Sequence, residues 1–290
     1  MSNDSSPLVS VIIPMYNEED HIQTTINSLL AQTYPNFELI LVDDGSTDGT
    51  IIKARSFIDD EQHTILRNET NMGQTFSMNR GAMHADGEFL VFHDADDISL
   101  PVRFEKQVEF LETNPGIGVV GGAFYYITPN QETPELRVRP SSDGDIRKNM
   151  GRGPMINGGT AMYRREALFG ADLFQSENVE GYELIIKIGI NWELANLSDP
   201  VYVYRINDGS RSQHNELVKK ATLAYRSWQA IKAFKLPYRY LLLQFGWLIY
   251  MNVPVKIQRR LRSAFSPTTQ CEATKEDCRK IRELIDSYAK

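Results

Sequence analysis

The chain has 290 residues, 41% of them hydrophobic, enough for one large core plus an appendage and too apolar for a disordered protein. Its net charge of −7 hides a division. Residues 1–218 carry 16 basic and 33 acidic side chains, whereas residues 219–290 carry 15 basic and 5 acidic. An acidic body argues against nucleic-acid binding. Two cysteines, Cys271 and Cys278, make neither a disulfide framework nor a zinc site. With no charged-then-apolar leader at the start, they point to a reducing, cytoplasmic setting.

Met1–Pro7 is polar and expected to be disordered. Val9–Ile13 then reads as a buried strand stopped by Pro14, followed by Tyr16-Asn17-Glu18-Glu19 and a helix carrying Ile22, Ile26, Leu29 and Leu30. Phe37–Val42 is a second strand ending on Asp43-Asp44-Gly45-Ser46, with Ser46 or Thr47 able to cap the next helix. A short strand at 63–67, a turn at Asn71-Met72-Gly73 and a helix from Gln74 to Ala85 follow. This alternation predicts an α/β fold: an open, mostly parallel twisted sheet with helices on its faces. Ligands of such sheets sit beyond the carboxyl ends of the strands, where Pro14, Asp44 and the acidic run 94–97 fall.

That run ends the stretch Glu88–Asp97, a buried-strand composition breaking into three carboxylates within four residues. Crowded like charges need a cation or donor groups to offset them. A hard divalent metal, bound by one or two carboxylates and completed by substrate phosphates, fits; a solvated acidic loop or a helix cap before Ile98–Pro101 is the plainer alternative. No Gly-x-Gly-x-x-Gly or Gly-x4-Gly-Lys-Ser/Thr occurs, which argues against a dinucleotide-dependent dehydrogenase and a P-loop NTPase.

Val9–Glu18, Ser28–Tyr34, Val42–Asp48, Asn71–Gly73, Asn79–Gly81, Ala85–Glu88 and Asp94–Asp97 together, in this order and spacing, resemble glycosyltransferase family 2. The resemblance implies a GT-A fold and an inverting enzyme acting on a nucleotide-diphosphate sugar, with UDP the favoured donor. It places Pro14, Tyr16 and Glu18 beside the base and ribose, and Asp44 as acceptor of the base ring N–H. Asp94 and Asp96 match the Asp-x-Asp motif, with Asp96 the ligand of Mg²⁺ or Mn²⁺ and Asp94 between ribose and metal. Asp97 reads equally as a helix cap and His93 as a packed residue. The implied organisation is a catalytic domain over 8–214, divided into a donor half (8–125) and an acceptor half (126–214), then a helical region over 215–290.

In the acceptor half, Asn157–Glu166 resembles the family's strand leading into a basic turn, and Tyr202–Ser212 its later tyrosine-arginine stretch, with Asn207 where histidine is usual. Arg205 and Arg211 read first as solvated surface arginines, with a diphosphate contact the alternative. The catalytic carboxylate is usually the aspartate of Glu-Asp-Tyr-Asp/Glu-Leu, but this chain reads Glu180-Gly181-Tyr182-Glu183-Leu184. Glu180 is the candidate base, with Glu183 the alternative and a non-catalytic sugar-nucleotide binder the third reading; a polyprenyl-phosphate sugar transferase shares the first-half motifs.

The tail reads differently. Tyr240–Val255 is an uncharged, aromatic-rich run between Arg239 and Lys256, shorter than the roughly 20 apolar residues of a spanning helix. Residues 219–265, lacking any acidic side chain, suit an interfacial segment on an anionic membrane; packing on the acidic body is the alternative. The expectation is a peripheral enzyme at the cytoplasmic face, acting on a carbohydrate or lipid-linked acceptor. Lys275–Lys290 reads as a solvated amphipathic helix.

Overall fold

A computed structural model describes residues 6–58, 62–128, 133–175, 180–206, 216–237, 240 and 268–289; the side chains of Glu180, 216–220 and 270–272 lie outside that description. The first half runs β1 (Val9–Met15), α1 (Ile22–Leu30), β2 (Phe37–Asp43), α2 (Thr50–Phe57), β3 (Thr64–Arg67), α3 (Gln74–His84), β4 (Phe89–Phe92), β5 (Ile98–Ser99) and α4 (Arg103–Thr113). Then come β6 (Ile117–Ile127), β7 (Glu135–Val138), α5 (Asp143–Met150), a 3-10 turn (Gly158–Thr160), β8 (Met162–Arg164), α6 (Arg165–Gly170), α7 (Glu180–Asn191) and β9 (Glu193–Arg205). The chain closes with α8 (Glu216–Ala233), β10 (Thr269–Glu272) and α9 (Lys275–Tyr288).

One sheet orders the strands β10-β7-β6-β8-β4-β1-β2-β3, with β9 on β6 and β5 on β9. The four strands at the β3 end are mutually parallel, β1 lying between β2 and β4 with Val9 opposite both Phe37 and Phe89. β8 enters antiparallel between β4 and β6. The parallel strands are apolar at successive positions because helices cover both faces. Val9, Val11 and Ile13 face α1 and α4, meeting Ile22, Ile26 and Phe104. Ile12, Ile40 and Val42 face the other way, toward Met78 and Ala82 of α3 in the core that Leu184 and Ile188 of α7 share.

The C-terminal segment belongs to the same sheet. β10 pairs antiparallel with β7. Helix α9 starts on a reciprocal cap between Thr274 and Asp277, which satisfies its first N–H groups. Its Ile281 and Tyr288 pack with Ile98, Tyr125 and Val203, and Asn27 Nδ2 of α1 donates to the Tyr288 carbonyl at 2.8 Å. The amphipathic helix expected here has its apolar stripe buried rather than solvated. No helix among the described residues is long and apolar enough to cross a membrane. Apart from Tyr240, the run Tyr240–Val255 lies outside the described residues.

Candidate active site

The carboxyl ends of the parallel strands are tied together by the main chain. Asp44 N donates to Met15 O at 2.9 Å, Asn68 N to Asp43 O at 2.8 Å and His93 N to Ile12 O at 2.9 Å. The loop after β1 is laced to the loop after β2. Asn17, at φ 54°, receives Thr47 N on its Oδ1 at 2.9 Å and donates its own N to Ser46 Oγ at 3.1 Å. Glu18 N donates to Thr50 Oγ1 at 2.7 Å. Tyr16, 38% exposed, and Glu18 therefore ride on a fixed loop. Gly45 makes this loop possible: it has φ +76°, and a Cβ there would stand 2.8 Å from the Thr70 carbonyl carbon. Ser46 and Thr47 are used in these cross-links; α2 follows Gly49 with no side-chain cap from that residue, and Asp48 Oδ1 accepts from Thr50 N at 3.0 Å.

Asp44 is buried, 4% exposed, and holds the turn that starts α3. Its Oδ1 accepts from Asn68 Nδ2 at 2.6 Å and Met72 N at 2.9 Å, and its Oδ2 from Gly73 N at 2.9 Å. The next residue, Gln74, donates its Nε2 to Asp94 Oδ1 at 3.1 Å. Asp44 and Asp94 are thus joined through one turn.

The acidic run divides by environment. Asp94 and Asp96 are partly exposed, while Asp97 is fully buried. Burial pushes the Asp97 carboxyl well up, and repulsion from Asp94 and Asp96 adds to it. Its Oδ1 accepts from Arg205 N at 2.7 Å, and Arg205 Nε donates to the Asp96 carbonyl. So Asp97 is no helix cap: β5 intervenes and α4 begins after Val102. It fastens the acidic loop to the end of β9. Arg205 is likewise engaged there and partly buried, not a solvated surface arginine. Arg211 lies outside the described residues.

His93 sits beneath this loop, 1% exposed. Its Nδ1 meets the Asp94 carbonyl at 2.7 Å and its Nε2 meets Ser99 Oγ at 3.0 Å. The first contact requires the proton on Nδ1, which leaves Nε2 to accept from the hydroxyl. Burial, reinforced by the Arg103 charge, holds its pKa down to about 3. Both nitrogens of this neutral ring are occupied, so it is no metal ligand. Arg103 is also fully buried, donating to Gln107 Oε1 at 3.1 Å and Ser99 Oγ at 2.9 Å.

A cavity of about 350 Å³ opens at these strand ends. Pro14, Gln74, Phe92 and Asp94 line it from the first half of the chain. Arg139, Asn157, Gly158, Gly159, Gly181 and Tyr204 line it from the second half. The 3-10 turn is shaped by Asn157, whose side chain accepts from Gly159 N at 2.9 Å, and by the lack of a side chain at Gly159, where a Cβ would meet the Tyr202 ring at 2.9 Å. Of the residues expected in the site, Pro14 and Asp94 line the cavity. Tyr16, Glu18, Asp44 and Asp96 stand on the loops around it and do not line it. Glu180 opens α7 immediately before the lining Gly181, but its side chain is outside the described residues. Glu183 is committed elsewhere, paired with Arg226 and, at 3.5 Å, with Lys187.

Among the described residues no group of three His, Cys, Asp or Glu side chains converges as a metal cage. Two partly exposed carboxylates two residues apart nevertheless suit a hard cation that keeps water and phosphate oxygens as its other ligands.

Strand-end carboxylates, a shared cleft and an α/β sheet with an antiparallel second half define the class: an α/β protein whose ligand site lies at the carboxyl ends of its strands. The comparisons narrow it. Residues 10–169 match the model of Glycosyl transferase family 2. A Bacillus subtilis (strain 168) protein named as a glycosyltransferase, EpsE, is 31% identical over 253 residues, covering 81% of this chain and 85% of that protein. The chain belongs to glycosyltransferase family 2 and is a transferase. Two solved structures share the fold. S. aureus TarS 1–349 in complex with UDP-GlcNAc superposes with a TM-score of 0.65 at 20% identity, covering 86% of this chain and 77% of that one. The mannosyltransferase PcManGT from Pyrobaculum calidifontis, in complex with GDP-Man and Mn²⁺, gives 0.60 at 23% identity, covering 84% and 70%.

The sequence did not single out Gln74 or Arg139, and it gave Tyr204 only as the tyrosine of the tyrosine-arginine stretch. Gln74 adjoined a recognised turn, whereas Arg139 carries no local pattern that separates it from surface strand residues.

Proposed function

We propose that the chain is a metal-dependent, inverting glycosyltransferase moving a sugar from a nucleoside-diphosphate donor, UDP the favoured one, to a carbohydrate or lipid-linked acceptor in glycan, polysaccharide or glycoprotein assembly. The observation that carries this reading is the cavity shared by Pro14, Asp94 and the N-terminus of α7 at Gly181. It joins the donor-side carboxylate loop to the helix that bears the candidate base.

In this reading Asp94 and Asp96 hold Mg²⁺ or Mn²⁺, and the Mn²⁺ complex of PcManGT supports that choice of ion. The ion, when bound, stabilises the negative charge of the departing diphosphate. Asp97 and Arg205 keep the loop that presents the two carboxylates in place. Pro14, Tyr16 and Glu18 flank the base and ribose. A carboxylate offers about four acceptor sites, and Asp44 uses two on Oδ1 and one on Oδ2. One remains for the ring N–H of uracil. Glu180 takes the proton from the acceptor hydroxyl as it attacks the anomeric carbon; the ion pairs of Glu183 support Glu180 over it.

The described part of residues 219–265 supports a peripheral membrane role at the cytoplasmic face. On α8, Tyr225 and Trp228 are 51% and 40% exposed and stack 5.9 Å apart. Lys232 Nζ lies 4.5 Å from the Trp228 ring centre. Exposed aromatics beside basic groups suit an anionic interface.

A thermal-shift panel of nucleotide sugars with and without Mn²⁺ tests the assignment. Stabilisation grows with ligand concentration over dissociation constant, so a UDP-sugar with Mn²⁺ is expected to give the largest shift, and no shift from any nucleotide sugar would refute the reading. Gly181 at the usual base position favours a second reading, a sugar-nucleotide-binding subunit without turnover. Donor binding without hydrolysis or transfer to any acceptor supports that alternative.

A further inference from the structure

Several arginines packed into this half of the molecule have a carboxylate. Arg137 meets Glu135 at 3.1 Å, Arg147 meets Asp143 at 2.6 Å, and Arg226 pairs with Glu183. Arg139, just after β7, differs. It is the cation among the described residues that line the active-site cavity. Its Nη1 donates to the Pro154 carbonyl, and its Nε is buried with no acceptor among the described residues. Burial, with Arg137 adding repulsion of the same sign, lowers its pKa to about 10, so it stays charged at neutral pH. A partly buried guanidinium with one N–H shut off from water and no opposing charge is costly. An anion arriving through the cavity removes that cost.

The surroundings say what carries the anion. Tyr204 lines the same cavity and stacks on Tyr126 at 5.7 Å with the rings 5° from parallel. The Arg137 guanidinium carbon lies 3.7 Å from the Tyr126 ring centre, so the aromatic pair is stiffened from behind. A rigid tyrosine in a cavity wall offers a flat apolar surface with a polar edge, which fits the C–H face of a sugar ring. The backbone of Asn157–Gly159 supplies polar groups alongside. These residues belong to the acceptor half. The donor diphosphate is assigned to the Asp94–Asp96 loop, which follows β4, and β6 and β8 lie between β4 and β7 in the sheet.

We propose that Arg139 and Tyr204 form an acceptor subsite for a sugar that itself carries an oxyanion, a phosphate or a carboxylate, gripped by the guanidinium while the ring rests on the tyrosine. The inference rests on the transferase reading of this cavity. A planar guanidinium fork matches either group in two-pronged fashion.

The test uses the full chain loaded with UDP and Mg²⁺, so that the donor phosphate site is filled. Glucose, glucose 1-phosphate and glucuronic acid are titrated by ligand-observed NMR. One or both charged sugars are expected to bind at least about tenfold tighter than glucose, worth about 1.4 kcal/mol, and which one does so distinguishes phosphate from carboxylate. Arg139→Gln should erase the preference and leave UDP affinity within about twofold. Arg139→Lys should keep part of it, and serves as the variant if the glutamine form does not fold. Equal binding of all three sugars overturns the proposal. So does loss of UDP affinity in Arg139→Gln, which assigns the guanidinium to the donor. Failure of the unmodified chain to bind UDP with Mg²⁺ overturns instead the transferase reading beneath it.

Discussion

Replacing Asp44 by alanine removes the acceptor of three hydrogen bonds, from Asn68 Nδ2, Met72 N and Gly73 N. Hydrogen bonds to a charged group contribute about 1.5–3 kcal/mol each. The turn is near the surface and water can replace part of the loss, so the low end applies and the sum is roughly 4.5 kcal/mol. That is a large share of the ~5–15 kcal/mol by which a domain is stable. Urea unfolding should show the midpoint falling with an unchanged slope, since the surface exposed on unfolding is the same. Asp44→Asn keeps an acceptor oxygen and should lose about half as much. The turn also carries Gln74 to Asp94, so nucleotide affinity should fall in both variants. A loss below about 1 kcal/mol in Asp44→Ala would refute the claim that this carboxylate holds the turn.

Other outcomes follow from the same geometry. Glu180→Gln should lower turnover by about 10²-fold or more with donor affinity nearly unchanged, the signature of a lost general base; unaffected turnover rejects Glu180. Gly181→Asp should fold normally, because the nearest atom to a Cβ there is the Gly158 Cα at an ordinary 3.6 Å and a carboxylate in the first turn of a helix is favoured. In the Glu180→Gln background it should restore part of the turnover, and a circular-dichroism melt checks the fold. Gly45→Ala should cost about 1–3 kcal/mol, because a left-handed backbone and a 2.8 Å approach to Thr70 both resist a side chain; an unchanged melting temperature contradicts this. Flotation with phosphatidylserine-containing liposomes should fall for Tyr225→Ala/Trp228→Ala, and equal flotation counts against α8 as a membrane-facing surface.

The first half is the more legible part of the chain, and the reason is burial on both faces. β1, β2 and β4 are short, mostly apolar runs and the alternating helices carry their own period, so element type and order follow from local pattern, although β1 runs on through Pro14 to Met15 instead of stopping at the proline. The C-terminal strand is different. Thr269–Glu272 has no apolar period and is a strand because it completes the edge offered by β7, more than a hundred residues earlier in the chain. Asp97 shows the same limit at the site. Its spacing suits a helix cap, yet β5 pairs with β9 and draws Asp97 onto Arg205, a contact across 108 positions. The wall formed by Arg139 and Tyr204 is equally non-local, since β6, β7 and β9 must be side by side before it exists.

The central claim is that Asp94 and Asp96 hold a cation against the donor diphosphate. The most direct measurement is the anomalous scattering of crystals grown with UDP and Mn²⁺, collected near the manganese edge. The account predicts one strong peak between these two carboxylates and the diphosphate oxygens, absent in Asp96→Asn. Bound UDP with no anomalous peak beside Asp94 and Asp96, or a peak elsewhere in the molecule, would contradict it.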